Sequence, residues 1–184
     1  MIQSILAVDD EPHMLKLLER IITEKTSYTI TTTSNSLEIP NILGQNQFEL
    51  VITDLMMPGM DGMDILRYVR ENERPEVVVI MTAFGSLDSA VDALQHGVFD
   101  YITKPFKKEQ IIFTVDRAMQ WQAIRQESTR MSKIFDAEPY EAARKAFDRE
   151  YIRRLAERTG MDTAKMAQLS GLASDFISSI MEET

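Results

Sequence analysis

An apolar run, Phe48, Leu50, Val51 and Ile52, ends abruptly in the acid Asp54, and a turn rich in Met, Pro and Gly carries the chain on to Gly62. A short β-branched run bounded by such a turn predicts a buried strand. Four further runs repeat the pattern. Ile2, Ile5, Leu6, Ala7 and Val8 precede Asp9-Asp10-Glu11-Pro12, and Tyr28 to Thr33 is β-branched. Glu76 to Met81 ends in Thr82-Ala83, and Val98 to Ile102 ends in Thr103-Lys104-Pro105-Phe106. Between these runs the apolar residues recur at helical spacing. Pro12 suits a first helical turn ahead of Leu15, Leu17, Leu18, Ile21 and Ile22. A weaker helix is expected over residues 36–44, with Pro40 near its first turn. Met63 to Arg70 follows the caps Asp61 and Gly62, and Leu87, Ala90, Val91 and Leu94 mark a helix that stops at Gly97. A long helix runs from Lys107 toward Arg130. Strand and helix alternate throughout, which predicts an α/β fold: a parallel sheet with helices on both faces.

Composition narrows the function classes. The length of 184 residues fits one domain, or one plus a small appendage. Zero cysteines exclude disulfides and thiolate metal sites, and two isolated histidines argue against zinc. No apolar run reaches the length of a membrane span and no signal-peptide pattern opens the chain, so a cytosolic protein with no membrane partner is expected. The net charge of −9 lies mostly before residue 121, which leaves that part unsuited to a polyanion.

In an open parallel sheet, ligands bind at the carboxyl ends of the strands. Asp54 alone would be an ordinary turn acid. Other strand ends, however, supply Asp9 and Asp10, Thr82, and Lys104. Adjacent carboxylates repel, and three of them around one point make a hard oxygen site suited to Mg²⁺. A hydroxyl and an ammonium opposite suit a phosphoryl group. Asp54 is then the nucleophile that accepts it, Lys104 its partner, and Thr82 a donor to a phosphoryl oxygen.

The segments VDDEP, TDLMMPGMDG, MTAFG and DYITKPF resemble the receiver domain of two-component response regulators, over roughly residues 1–119. The resemblance implies a flavodoxin-like (CheY-like) five-stranded parallel sheet of order 2-1-3-4-5. It implies phosphorylation of Asp54 by a histidine kinase or phosphotransfer protein. It implies Mg²⁺ ligation by Asp10, Asp54 and the backbone carbonyl of Met56, with Asp9 acting through water. It implies a switch in which Thr82 moves toward the phosphoryl group and the ring of Tyr101 turns inward, biasing a surface over residues 86–117. A haloacid-dehalogenase-like phosphatase would carry a second acid two residues after its nucleophile. That position is Met56, so a phosphoacceptor with slow self-dephosphorylation is expected rather than an enzyme.

Residues 1–120 therefore form the receiver, 121–137 a helical linker and 138–184 a small all-helical unit. Tyr140, Ala143, Phe147, Tyr151, Ile152 and Leu155 make an amphipathic stripe on a helix that ends near Gly160. A second short helix is expected from Met161 with Ala164, Met166, Ala167 and Leu169 inside it, and a third from Ser174 to Glu183. AFDREYIRRLAERTG followed by MAQLSGLASDFISSI resembles the Fis-type helix-turn-helix domain of NtrC-family regulators, and no P-loop of an accompanying ATPase occurs in these residues. That family dimerises on the long helix and places the last helix in the major groove. Here the last helix reads SDFISSIMEET, acidic where phosphates would come. Two outputs follow. In one, a homodimer binds DNA and controls transcription, with Arg149, Arg153, Arg154 and Arg158 on the backbone. In the other, the tail serves dimerisation or protein docking without DNA.

Overall fold

The computed structural model describes residues 3–83, 93–135 and 140–182. They fall into two compact units, Met1–Ile124 and Arg125–Thr184.

The first unit is built on strands β1 (Ser4–Val8), β2 (Thr29–Thr33), β3 (Leu50–Asp54), β4 (Val77–Thr82) and β5 (Asp100–Thr103). They lie in the order β2-β1-β3-β4-β5, with every neighbouring pair parallel. This is the flavodoxin-like order that the resemblance to receiver domains implies. The helices are α1 (Pro12–Lys25), α2 (Ile39–Gln45, entered through a 3₁₀ turn at Ser36–Glu38), α3 (Gly62–Glu71) and α4 (Lys108–Phe135). Side chains alternate across each strand, so each strand feeds two cores. Ile5, Ala7, Leu50 and Ile52 pack with Leu18 and Ile22 of α1 and with Ile111 and Val115 of α4. Leu6, Val8, Val51 and Ile80 pack with Ile39 and Leu43 of α2 and with Ile65, Leu66 and Val69 of α3. Every residue of β3 and β4 is buried, as central parallel strands require.

Local chemistry sets the element ends. Asp61 caps α3 in a reciprocal box with Asp64: the Asp64 N–H reaches Asp61 at 2.7 Å and the Asp61 N–H reaches Asp64 at 3.1 Å. Pro40 sits in the first turn of α2, where its missing N–H costs nothing. The fifth strand begins at Asp100 rather than at Val98. The Val98 N–H is taken by the Ala93 carbonyl (3.0 Å), closing the helical turn at 93–95 before the chain enters the sheet. Leu87, Ala90 and Val91 lie outside the described residues. Gln122, the second residue of the expected linker, is buried and donates from Nε2 to the Pro75 carbonyl at 2.7 Å.

The second unit holds the end of α4 with α5 (Tyr140–Thr159), α6 (Thr163–Ser170) and α7 (Ser174–Glu182). Its core is Ile152, Leu155, Ala156, Met166 and Ile177. The expected apolar stripe divides. Ile152 and Leu155 enter the core, whereas Tyr140, Phe147 and Tyr151 stay exposed on another face, with the last two rings stacked at 6.0 Å. Met161 does not begin α6. It turns with φ of 65°, and Asp162 caps the helix by accepting from the Lys165 N–H at 3.1 Å. Among the described residues no helix is long and apolar enough to cross a membrane.

Candidate functional site

Parallel pairing in register sets the strand ends side by side: Val8 opposite Thr53, Asp54 opposite Met81, Thr82 opposite Thr103. Asp9 follows β1, Asp54 ends β3, Thr82 ends β4 and Lys104 follows β5, so four elements converge on one edge. Gly62 permits the close seat of α3 behind this edge. A Cβ there would lie 2.5 Å from the Asp54 carbonyl oxygen.

Lys104 Nζ donates to Asp9 Oδ2 at 2.7 Å and lies 3.2 Å from Asp54 Oδ1. Asp9 Oδ1 accepts from the Glu11 N–H at 2.9 Å, so both oxygens of this fully buried acid are engaged. Asp54 is also buried, and among the described residues its Oδ1 accepts no hydrogen bond of good geometry. Burial pushes the Asp54 carboxyl above the usual range, against the pull of Lys104, and the charge of Asp9 pushes the same way as burial. Burial alone would lower the Lys104 ammonium. Asp9 and Asp54 outweigh it and hold the group above its ordinary value.

Asp10 is exposed, yet one oxygen from each of Asp9, Asp10 and Asp54 lies within 4.8 Å of the others. Three carboxylates against one ammonium leave negative charge uncompensated. Asp54 Oδ1, reached by the Lys104 ammonium at 3.2 Å without a hydrogen bond of good geometry, and the all-oxygen donor set fit a small hard divalent cation such as Mg²⁺. Thr82 is buried, and its carbonyl accepts the Lys104 N–H at 2.7 Å. Tyr101 lies on β5 opposite Ile80, half-buried against the core shared with α2 and α3. Met56 extends its side chain to solvent.

The four tail arginines all lie on α5 but not in equivalent settings. Arg149 and Arg158 are exposed. Arg153 and Arg154 converge on Glu150, at 2.7 Å and 2.8 Å, and Arg154 also meets Glu127 at 2.8 Å. Arg153 is further paired with Glu157. Hydrogen bonds from Arg153 hold the buried Glu150 carboxyl down to about 2 against the effect of burial, with Arg154 and Arg130 helping. Glu150 was missed from the sequence, although its spacing of three and four to the two arginines is readable there.

The chain matches the model of the response regulator receiver domain over residues 5–116. It is 37% identical over 119 residues to the transcriptional regulatory protein GlrR of Escherichia coli, a match spanning 65% of this chain and 27% of that protein. It is 37% identical over 112 residues to the DNA-binding transcriptional regulator NtrC of Escherichia coli, spanning 61% of this chain and 24% of that one. The chain thus matches about a quarter of the length of these curated relatives. Among solved structures, the signal receiver domain of a LuxO repressor protein from Vibrio parahaemolyticus superposes with a TM-score of 0.67 at 25% identity, covering 70% of this chain and 98% of that one. The beryllofluoride-activated NtrC4 receiver domain dimer superposes with a TM-score of 0.61 at 29% identity, covering 65% of this chain and 98% of that one. With its acidic strand-end edge and its 2-1-3-4-5 sheet, the chain belongs to the response regulator receiver domain family.

Proposed function

We propose that Asp54 is the phosphoacceptor of a two-component response regulator, served by a histidine kinase or phosphotransfer protein. One arrangement carries this reading: a buried carboxylate whose Oδ1 is ion-paired with Lys104 at 3.2 Å, beside two further acids. An Asp54 oxygen attacks phosphorus, and an O–P bond forms as the donor's N–P bond breaks and its imidazole takes up a proton. Lys104, held by Asp9, meets the charge on the transferred group, and the Thr82 hydroxyl donates to a phosphoryl oxygen. Asp9, Asp10, Asp54 and the Met56 backbone carbonyl would hold Mg²⁺, which when bound supplies charge neutralisation. Thr82 and Tyr101 act as the switch on the surface over residues 86–117. The chain is a phosphoacceptor whose only substrate is its own side chain.

Residues 1–120 serve as the receiver, 121–137 as a helical linker and 138–184 as a Fis-type helix-turn-helix output of a cytoplasmic homodimer. The names of the relatives favour transcriptional control through DNA. Glu150 favours a second reading. It engages Arg153 and Arg154, removing much of the charge that phosphate contacts need, and α7 carries Asp175 and Glu182. In that reading the tail dimerises or docks a protein.

The test is selection of genomic DNA fragments by the full chain, with and without beryllofluoride, at low and moderate salt. Recovery of a common palindromic site supports DNA output. No enrichment by folded protein in any condition leaves the docking reading. Phosphoprotein analysis with a small-molecule phosphodonor tests Asp54, and label on any other residue overturns that assignment.

A further inference from the structure

The loop between β3 and α3 carries the Met56 carbonyl. Its ends are fixed: the Leu55 N–H donates to the Met81 carbonyl at 2.8 Å, and the Gly62 N–H to the Leu55 carbonyl at 3.0 Å. Its middle contains Gly59, with φ of 89°, a residue with wide backbone freedom. Ser36 clasps that point from a different element. Its Oγ donates to the Pro58 carbonyl at 2.7 Å and accepts from the Met60 N–H at 2.9 Å, bracketing Gly59. A Cβ on Gly59 would stand 3.0 Å from both Ser36 Oγ and Leu37 Cγ and would sit at a strained positive φ, so a side chain there would push the clasp off the loop.

Ser36 is itself held. It is buried in the 3₁₀ turn Ser36–Glu38, whose cap Asn35 accepts from the Leu37 N–H at 3.2 Å and donates to Glu38 at 3.2 Å. A hydroxyl has one proton to give, and here that proton and a lone pair each meet a backbone group of the same loop.

We propose that Ser36 is a positioning residue for the cation site: it fixes the loop so that the Met56 carbonyl is preset toward Asp54. This rests on the reading that Asp9, Asp10, Asp54 and Met56 hold a divalent cation. A ligand group on a mobile loop must be ordered at binding, and a preset one need not be.

The experiment is Mg²⁺ titration of the full chain by calorimetry, with hydrogen exchange at the Met60 amide as a second readout. Ser36→Ala raises the Mg²⁺ dissociation constant roughly three- to tenfold, the worth of a lost hydrogen bond or two. It also speeds Met60 exchange. Gly59→Ala acts in the same direction, and the double variant is weaker than the worse single one by less than about twofold, since both break one clasp. Val115→Ala, a cavity in the core on the other face of the sheet, against which no residue of this loop packs, lowers thermal stability and leaves Mg²⁺ affinity unchanged. Unchanged affinity in Ser36→Ala overturns the inference, as does equal weakening in Val115→Ala. Wild-type protein that binds no Mg²⁺ overturns the cation reading itself, and the inference with it.

Discussion

Lys104 gives its shortest bond to Asp9 and not to Asp54: Nζ lies 2.7 Å from Asp9 Oδ2 and 3.2 Å from Asp54 Oδ1. The buried Asp9 therefore anchors the ammonium beside Asp54 without saturating it. Asp54 is buried with the longer of the two contacts, and its desolvation is a cost to the fold.

Asp54→Asn abolishes stable phosphorylation, and undiminished phosphoprotein in that variant would contradict the assignment. The same change has a stability consequence. A carboxyl raised in the folded state stabilises only while it is protonated, and that contribution is lost as pH rises through the folded value. At neutral pH and without divalent cation the neutral Asn variant therefore melts higher than wild type. Thermal melts in chelator check the sign.

Lys104→Ala keeps the fold and uncouples the switch. It leaves Asp9 and Asp54 facing each other without their shared cation, so the cation-free protein loses about 1–3 kcal/mol. Urea denaturation measures the loss. Beryllofluoride shifts at Thr82 and Tyr101 that match wild type would argue against the uncoupling.

Gly62→Ala destabilises the first unit by about 1–3 kcal/mol, since its Cβ would meet the Asp54 carbonyl oxygen at 2.5 Å and force β3 and α3 apart. Denaturation midpoints at constant slope are the readout. A neutral effect would mean that the loop yields easily.

The helical tail loses stability in acid. Glu150 has a usual value of 4.5 and is held down to about 2 in the folded unit. Its contribution is complete above the unfolded value and disappears as pH falls from about 4.5 toward 2. Circular dichroism melts between neutral pH and pH 3 should show this decline, and Glu150→Gln should flatten it. At pH 7 that variant costs roughly 1–3 kcal/mol, the worth of charge-assisted hydrogen bonds.

Much of the receiver was legible along the chain because its signals are local. Apolar runs of strand length end in polar turns, Asp61 precedes α3 as a cap, and Pro40 falls where a first turn tolerates it. The less legible parts depend on competition between neighbours. Val98 reads as strand, but its N–H is claimed by the preceding helical turn. Tyr140, Phe147 and Tyr151 share a stripe with Ile152 and Leu155 in a sequence reading, and packing sends the two groups to different faces. Met161 reads as a helix start and proves to be a left-handed turn ahead of the Asp162 cap.

The sequence by itself determined the alternation of strand and helix and the polar residue that ends each run, because periodicity and turn chemistry are written in consecutive residues. Only the tertiary structure decided which of those polar groups touch. Asp9 and Lys104 are far apart along the chain and meet because parallel strands in register bring their ends together. Ser36 clasps Pro58 and Met60 for the same reason: a hydrogen bond is chosen among the groups that packing places within reach.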